Sequence, residues 1–191
     1  MSIWIWRLNF VMSELLDKIV VIDELLPSIF ADNLEEILLS NNFPWFYQKD
    51  LTSQKDNEIK TSGFCHNFID NGRAINNYFD SLNLKYIPDR AVKQIDKNCT
   101  FRISRVRSFL QLPIINDRKF DNKHIDMDIN HLVCLYYVND NNAETYFFDG
   151  EDIIKKIKPQ KNRVVVFDGS IYHASSSAKI NERVVINFNL I

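Results

Sequence analysis

Apolar residues fall at two different spacings along this chain, and the spacing changes near its middle. In the first half, "KIVVID" (18–23) is a short β-branched run that predicts a strand. "SIFADNLEEILLSNN" (28–42) carries Ile29, Phe30, Leu34, Ile37 and Leu38 at helical spacing behind a candidate cap, Ser28. "RAINNYFDSL" and "PDRAVKQID" carry weaker helical patterns, with Pro88 suited to a first turn. From residue 100 onward the period shortens to two. "TFRISRVRSFLQL", "HLVCLYYVN", "TYFFD", "DIIKKIK", "RVVVFDG" and "RVVINFNLI" are successive strand candidates rich in Val, Ile, Phe and Tyr. Polar turns separate them, among them "NDNNAE" and "KPQKN", while Asp168-Gly169 and Ser175 to Ser177 also read as turn chemistry. Helices followed by a dense series of strands predict a mainly β (α+β) fold. The expected form is a β-sandwich or jelly roll with the N-terminal helices packed on one sheet.

The last strand sharpens this expectation. Val184, Ile186, Phe188 and Leu190 fall on one face and Arg183, Val185, Asn187 and Asn189 on the other. The first face suits a bed for helices. The second must look into a cavity that tolerates a cation and two amides.

Composition narrows the class. A chain of 191 residues fits a single domain (1–191), with residues 100–191 as its β core and residues 1–11 peripheral. An apolar share of 46% with 13% aromatics belongs to a folded globular protein. A net charge of −2 provides no positive field, so neither nucleic acid nor a membrane surface is an expected partner. "MSIWIWRLNFV" is too short to span a bilayer and lacks the flanks of a signal peptide. Cys65, Cys99 and Cys134 are odd in number and follow no ligand spacing, which points to a reducing, cytoplasmic setting. Cys134 reads as a small core hydrophobe.

The candidate chemistry sits in "HIDMDINHLVCLYYVND" (124–140), where His124 and Asp126 open an otherwise apolar strand. With four histidines and seventeen aspartates present, a bare His-x-Asp proves little. Three features add weight to it. Positions i and i+2 of an extended chain point the same way, so both side chains can share one ligand. His173 follows the strand "RVVVFDG". Arg183 opens the final strand on the face inferred to look inward. Two histidines and one carboxylate form the facial triad that holds non-haem Fe(II) with coordination positions left open. A buried arginine beside them needs an anionic partner, and its fork matches a carboxylate.

These residues resemble the Fe(II)- and 2-oxoglutarate-dependent oxygenases, particularly the prolyl-hydroxylase-like branch. "HID" at 124, His173 and Arg183 carry the resemblance, with "LYYVND" at 135–140 and "VVFDGSIYHASSS…RVVINFNL" similar to small phage and bacterial members. It covers residues 100–191 well, and "IVVIDELLPSIFADNLEEIL" is similar to the usual N-terminal strand and helix. The resemblance implies a double-stranded β-helix, the jelly-roll or cupin-like fold. It implies a dioxygenase (hydroxylase) with His124, Asp126 and His173 as catalytic iron ligands. Arg183 would pair with the distal carboxylate of the cosubstrate 2-oxoglutarate, and Tyr137 would donate its hydroxyl to the same group. O2 would be consumed, succinate and CO2 released, and a protein side chain, prolyl or other, or a small molecule hydroxylated. "NNAETYFF" departs from the branch, which usually has a glycine pair there.

Two other readings compete: a jelly-roll binding module that keeps the pocket without turnover, and a His2Asp zinc hydrolase. Arg183 argues against the hydrolase, which needs no dicarboxylate anchor. Among lesser candidates, His131 and His66 read as satisfied or surface histidines. Asn187 and Asn189 face the cavity as contacts to the ligands or substrate. Arg105 and Arg107 read as one wet strand face, with a docking stripe for an acidic partner as the alternative. Trp45, Phe46 and Tyr47 are core or lid, and the polar run 49–63 is a candidate flexible lid.

Overall fold

The computed structural model describes residues 19–51, 61–114 and 118–191. Residues 1–11, and most of the candidate lid at 49–63, lie outside the described residues. The elements run β1 (Val20–Ile22), α1 (Ser28–Leu38), β2 (Phe46–Gln48), β3 (Gly63–Asp70), β4 (Arg73–Ala74), α2 (Tyr78–Ser81) and α3 (Tyr86–Ile95). They continue with β5 (Ile103–Gln111), β6 (Leu132–Tyr137), β7 (Thr145–Asp149), β8 (Asp152–Ile157), β9 (Arg163–Asp168), β10 (Tyr172–Ser175) and β11 (Arg183–Leu190). The large sheet has the order β1-β9-β6-β11-β5-β3-β2, with β4 on β3, and faces a small sheet β10-β7-β8. Every pairing is antiparallel, and the strand order makes a jelly roll.

Alternation in β6 and β11 explains why the large sheet is buried on both faces. Cys134, Tyr136, Val184, Ile186 and Phe188 share a cluster with Leu34 and Leu38 of α1 and Ile87 and Val92 of α3. Val133, Leu135, Tyr137 and Val185 point the other way and meet Phe147 and Ile157 of the small sheet. Each such side chain contributes roughly 1.5–3 kcal/mol by leaving water. Asn162 ties the layers together at a turn that needs its positive φ of 64°. Its side chain exchanges hydrogen bonds with both backbone groups of Leu26, at 2.9 and 2.7 Å.

Several local expectations are corrected. Ser28 caps nothing: Pro27 occupies the N-cap position of α1 and its carbonyl accepts from Phe30 and Ala31. Ile29 and Ile37 are exposed, and Ala31 joins Leu34 and Leu38 on the buried face instead. The "RAINNYFDSL" segment divides into β4 and one helical turn, α2. Pro88 does lie in the first turn of α3. Trp45 belongs to the core side, donating to the Leu38 carbonyl at 2.9 Å, while Phe46 and Tyr47 are exposed. Cys65, Cys99 and Cys134 are free. Among the described residues no helix is long and apolar enough to cross a membrane.

The turn between β9 and β10 is set by close packing. Gly169 donates its backbone N–H to the His131 carbonyl at 2.9 Å, and a Cβ at this position would lie 2.2 Å from the buried His131 ring. Gly169→Ala is therefore expected to cost ~2–3 kcal/mol by overpacking. Thermal unfolding should register this as a Tm lower by roughly 4–12 °C. An unchanged Tm would show that the ring moves aside freely.

Candidate metal centre

A backbone bridge, a bend and a set of side-chain donors bring the candidate ligands together. His173 is the second residue of β10, and an isolated antiparallel bridge joins it to His124 through two backbone hydrogen bonds of 3.0 Å. His124 and Asp126 do not open β6, which begins only at Leu132; Asp126 lies at a bend two positions after His124, and its Oδ1 comes within 4.0 Å of His124 Nε2. The inward face of β11 then supplies the floor beneath it. Asn187 and Asn189 donate their amides to Asp126 Oδ2 at 2.9 and 2.8 Å. Arg105 of β5 closes the clamp, donating to the Asp126 carbonyl at 2.7 Å and to Asn189 Oδ1 at 2.9 Å.

The result is three ligand atoms around one gap. Asp126 Oδ1 lies 4.0 Å from His124 Nε2 and 4.0 Å from His173 Nε2, and all three atoms fall within 4.8 Å of one another. These distances exceed a hydrogen bond, so the atoms surround a space rather than satisfy each other. Nδ1 of His124 faces the Asn122 carbonyl at 3.2 Å and Nδ1 of His173 faces the Ile171 carbonyl at 3.1 Å. A carbonyl can only accept, so both imidazoles carry the proton on Nδ1 and present the Nε2 lone pair to the gap. Burial and the neighbouring His124 push His173 down to about 4, which keeps it neutral and ready to ligate. Burial also opposes ionisation of Asp126, whose side chain is only 4% exposed. The imidazoles of His173 and His124 and the two amide hydrogen bonds outweigh it and hold the carboxyl well below its usual range. A borderline divalent ion such as Fe(II) fits this donor set, with one ligand atom from each residue around the same gap.

The same cavity, about 290 Å³, reaches from this gap to Arg183. Arg183 is 5% exposed and has no carboxylate within 4.0 Å among the described residues. Its Nη1 donates to Gln111 Oε1 at 3.2 Å and its Nη2 to Thr145 Oγ1 at 3.5 Å, and Nε has no partner. Burial lowers the guanidinium from its ordinary value, opposed by the fields of Tyr137 and Asp121. A buried cation with an orphaned donor is costly unless an anion enters, and a carboxylate matches its fork.

Tyr137 stands one step behind. It does not line the cavity: its hydroxyl donates to Thr145 Oγ1 at 2.7 Å. Thr145 thus accepts from Tyr137 and Arg183 together, and its own proton is left to point into the cavity.

β5 supplies further wall residues. Register pairs Arg183, Val185, Asn187 and Asn189 of β11 with Gln111, Phe109, Arg107 and Arg105 of β5. The two arginines are therefore not a wet outer face, since both line the cavity. Alternation in "TFRISRVRSFLQL" already placed Arg105, Arg107, Phe109 and Gln111 on one face, but not which way that face looks. Ser175 is not a turn residue; it ends β10, and its hydroxyl lies 3.3 Å from Asp121 Oδ2. His66 is a satisfied core histidine, held by the Pro44 carbonyl and Asn76 among Phe43, Phe68 and Tyr78. His131 is fully buried, with Nδ1 2.6 Å from the Ile129 carbonyl and Nε2 unpartnered.

Fold and site together define a jelly roll with a two-histidine, one-carboxylate centre. Solved structures similar to it include a 2OG-Fe(II) oxygenase family member and prolyl hydroxylases. An oxidoreductase of the 2OG-Fe(II) oxygenase family from Burkholderia pseudomallei superposes with a TM-score of 0.69 at 12% identity, over 95% of this chain and 89% of that one. A Trichoplax adhaerens prolyl hydroxylase, in complex with a hypoxia inducible factor oxygen degradation domain peptide fragment, gives 0.65 at 14% identity, over 100% and 94%. The viral collagen prolyl hydroxylase of Paramecium Bursaria Chlorella virus-1, as its 2OG complex, gives 0.56 at 16% identity, over 90% and 94%. No family model and no curated protein matches the sequence.

Proposed function

We propose that this chain is an Fe(II)- and 2-oxoglutarate-dependent dioxygenase that hydroxylates a prolyl or other protein side chain, or a small molecule. The observation that carries this reading is the convergence of His124 Nε2, His173 Nε2 and Asp126 Oδ1 on one gap. Iron(II) bound there with 2-oxoglutarate supplies the oxidising chemistry, in which O2 delivers one atom to a substrate C–H bond and the other to succinate, with loss of CO2.

The chain's own residues bind and orient. His124, Asp126 and His173 hold the metal on one side. Asn187, Asn189 and Arg105 keep Asp126 from rotating. Arg183 takes the distal carboxylate of 2-oxoglutarate, and the Thr145 proton adds a second donor to it. Tyr137 fixes the direction of that proton from behind, which makes it a positioning residue. Leu135, Phe109 and Val185 give the cavity apolar wall that limits water. The peptide bound by the Trichoplax neighbour supports a protein side chain as substrate. Three free cysteines suit the proposed cytoplasmic setting.

Purified protein is expected to retain stoichiometric iron(II) and to form succinate from 2-oxoglutarate only with O2 present. Chelation should abolish turnover. Tight zinc with hydrolytic activity in the absence of O2 would overturn the assignment.

A further inference from the structure

Arg107 looks into this cavity with a charge that the described residues leave unneutralised. Its guanidinium carbon lies 5.0 Å from the centroid of the Phe109 ring. Among the described residues it has no hydrogen bond and no carboxylate within 4.0 Å, although it is half-buried. The other two cavity arginines differ. Arg105 is committed to Asp126 and Asn189, and Arg183 to Gln111 and Thr145.

Register fixes where Arg107 acts. It pairs with Asn187, whose amide holds Asp126 Oδ2. Arg107 therefore stands one strand, roughly 5 Å, from the residue that supports the metal ligand. On its other side it pairs with Asn67 of β3, toward the sheet edge and away from β6. That position flanks the metal gap, two residues along β5 from Phe109 and four from Gln111, which neighbours Arg183. The Phe109 ring lies within cation–π reach of the guanidinium, whose N–H groups donate to no described residue and can serve a planar, two-oxygen acceptor. A half-buried guanidinium has lost part of its hydration, so an arriving carboxylate recovers what the protein does not supply.

We propose that Arg107 is the specificity-determining residue of this site and that the substrate presents it with a carboxylate. The carboxylate comes from a free organic or amino acid, or from an acidic side chain of a peptide. This rests on the oxygenase reading and names the substrate class of the same cavity.

The test uses the full chain loaded with iron(II) and 2-oxoglutarate. The probes are matched pairs that differ by one carboxylate: free amino acids against their α-amides, and Asp/Asn and Glu/Gln within otherwise identical end-capped short peptides. Anaerobic binding is measured by calorimetry, and substrate-triggered succinate formation in air. The acidic member of a pair is expected to bind more tightly by about tenfold to a hundredfold, the value of a charge-assisted hydrogen bond. Arg107→Gln should erase that ratio, Arg107→Lys should keep part of it, and Arg107→Glu should reverse it toward basic analogues. A ratio confined to the free acids or to the peptides identifies the source. Equal binding within every pair, no binding by any acidic member, or an acid preference that survives Arg107→Gln would each overturn the proposal. Failure of the oxygenase reading looks different: the unsubstituted chain would then bind neither iron nor 2-oxoglutarate.

Discussion

Arg183→Met is expected to raise the KM for 2-oxoglutarate on the order of 10²–10³-fold while leaving the ligand-free protein as stable as before or more so. The two halves of this prediction come from the same observation. Arg183 is buried with one donor unpartnered and only neutral acceptors on the others. Truncating the cationic half of a buried charge pair costs ~2–5 kcal/mol of binding. In the ligand-free protein the pair does not exist, and the guanidinium is only a desolvation cost that methionine of similar reach removes. Steady-state succinate formation against 2-oxoglutarate concentration measures the first effect. Thermal unfolding with and without 2-oxoglutarate measures the second. At a hundred times its Kd the ligand should stabilise the parent protein by about 2.7 kcal/mol and the variant hardly at all. An unchanged KM would remove Arg183 from the cosubstrate site.

His173→Ala should strip the metal. Losing one of three protein ligands forfeits several kcal/mol of metal-dependent stabilisation, so turnover should fall on the order of a thousandfold or more. The fold should survive, because the bridge between His124 and His173 is made by backbone atoms that alanine keeps. Asn189→Leu provides the graded comparison. It leaves all three ligands but removes a donor that holds Asp126 Oδ2, and it unties Arg105 Nε. Iron affinity should then drop by roughly ten- to a hundredfold. Metal content after dialysis, measured beside succinate formation, separates the two variants. Full iron occupancy in His173→Ala would refute the assignment of the centre.

Legibility followed the length of each pattern. β5, β6, β9 and β11 announce themselves because six to nine alternating or β-branched residues leave little choice. β3 carries no clear period: "GFCHNFID" mixes polar and apolar residues because it is buried on both sides in part, with His66 inside an aromatic group. β10 is four residues long and looked like the tail of a turn, yet it carries His173 and Ser175. α1 was placed correctly, but the choice between Ile29 and Ala31 for its buried side depends on what lies beneath it.

The site divides along the same line. Identity and spacing of His124 and Asp126 are written in the sequence, and the parity that puts Arg183, Asn187 and Asn189 on one side of β11 is a property of an extended strand; the bend that turns Asp126 toward His124 is not. Periodicity is local, so it reports which residues share a face. It does not report what that face meets. Only pairing in three dimensions joined the His173 backbone to His124, turned the Arg105 and Arg107 face of β5 inward, and put Thr145 between Tyr137 and Arg183. Those relations depend on registers between distant strands, and each register is selected by the burial of the whole sheet rather than by any stretch within it.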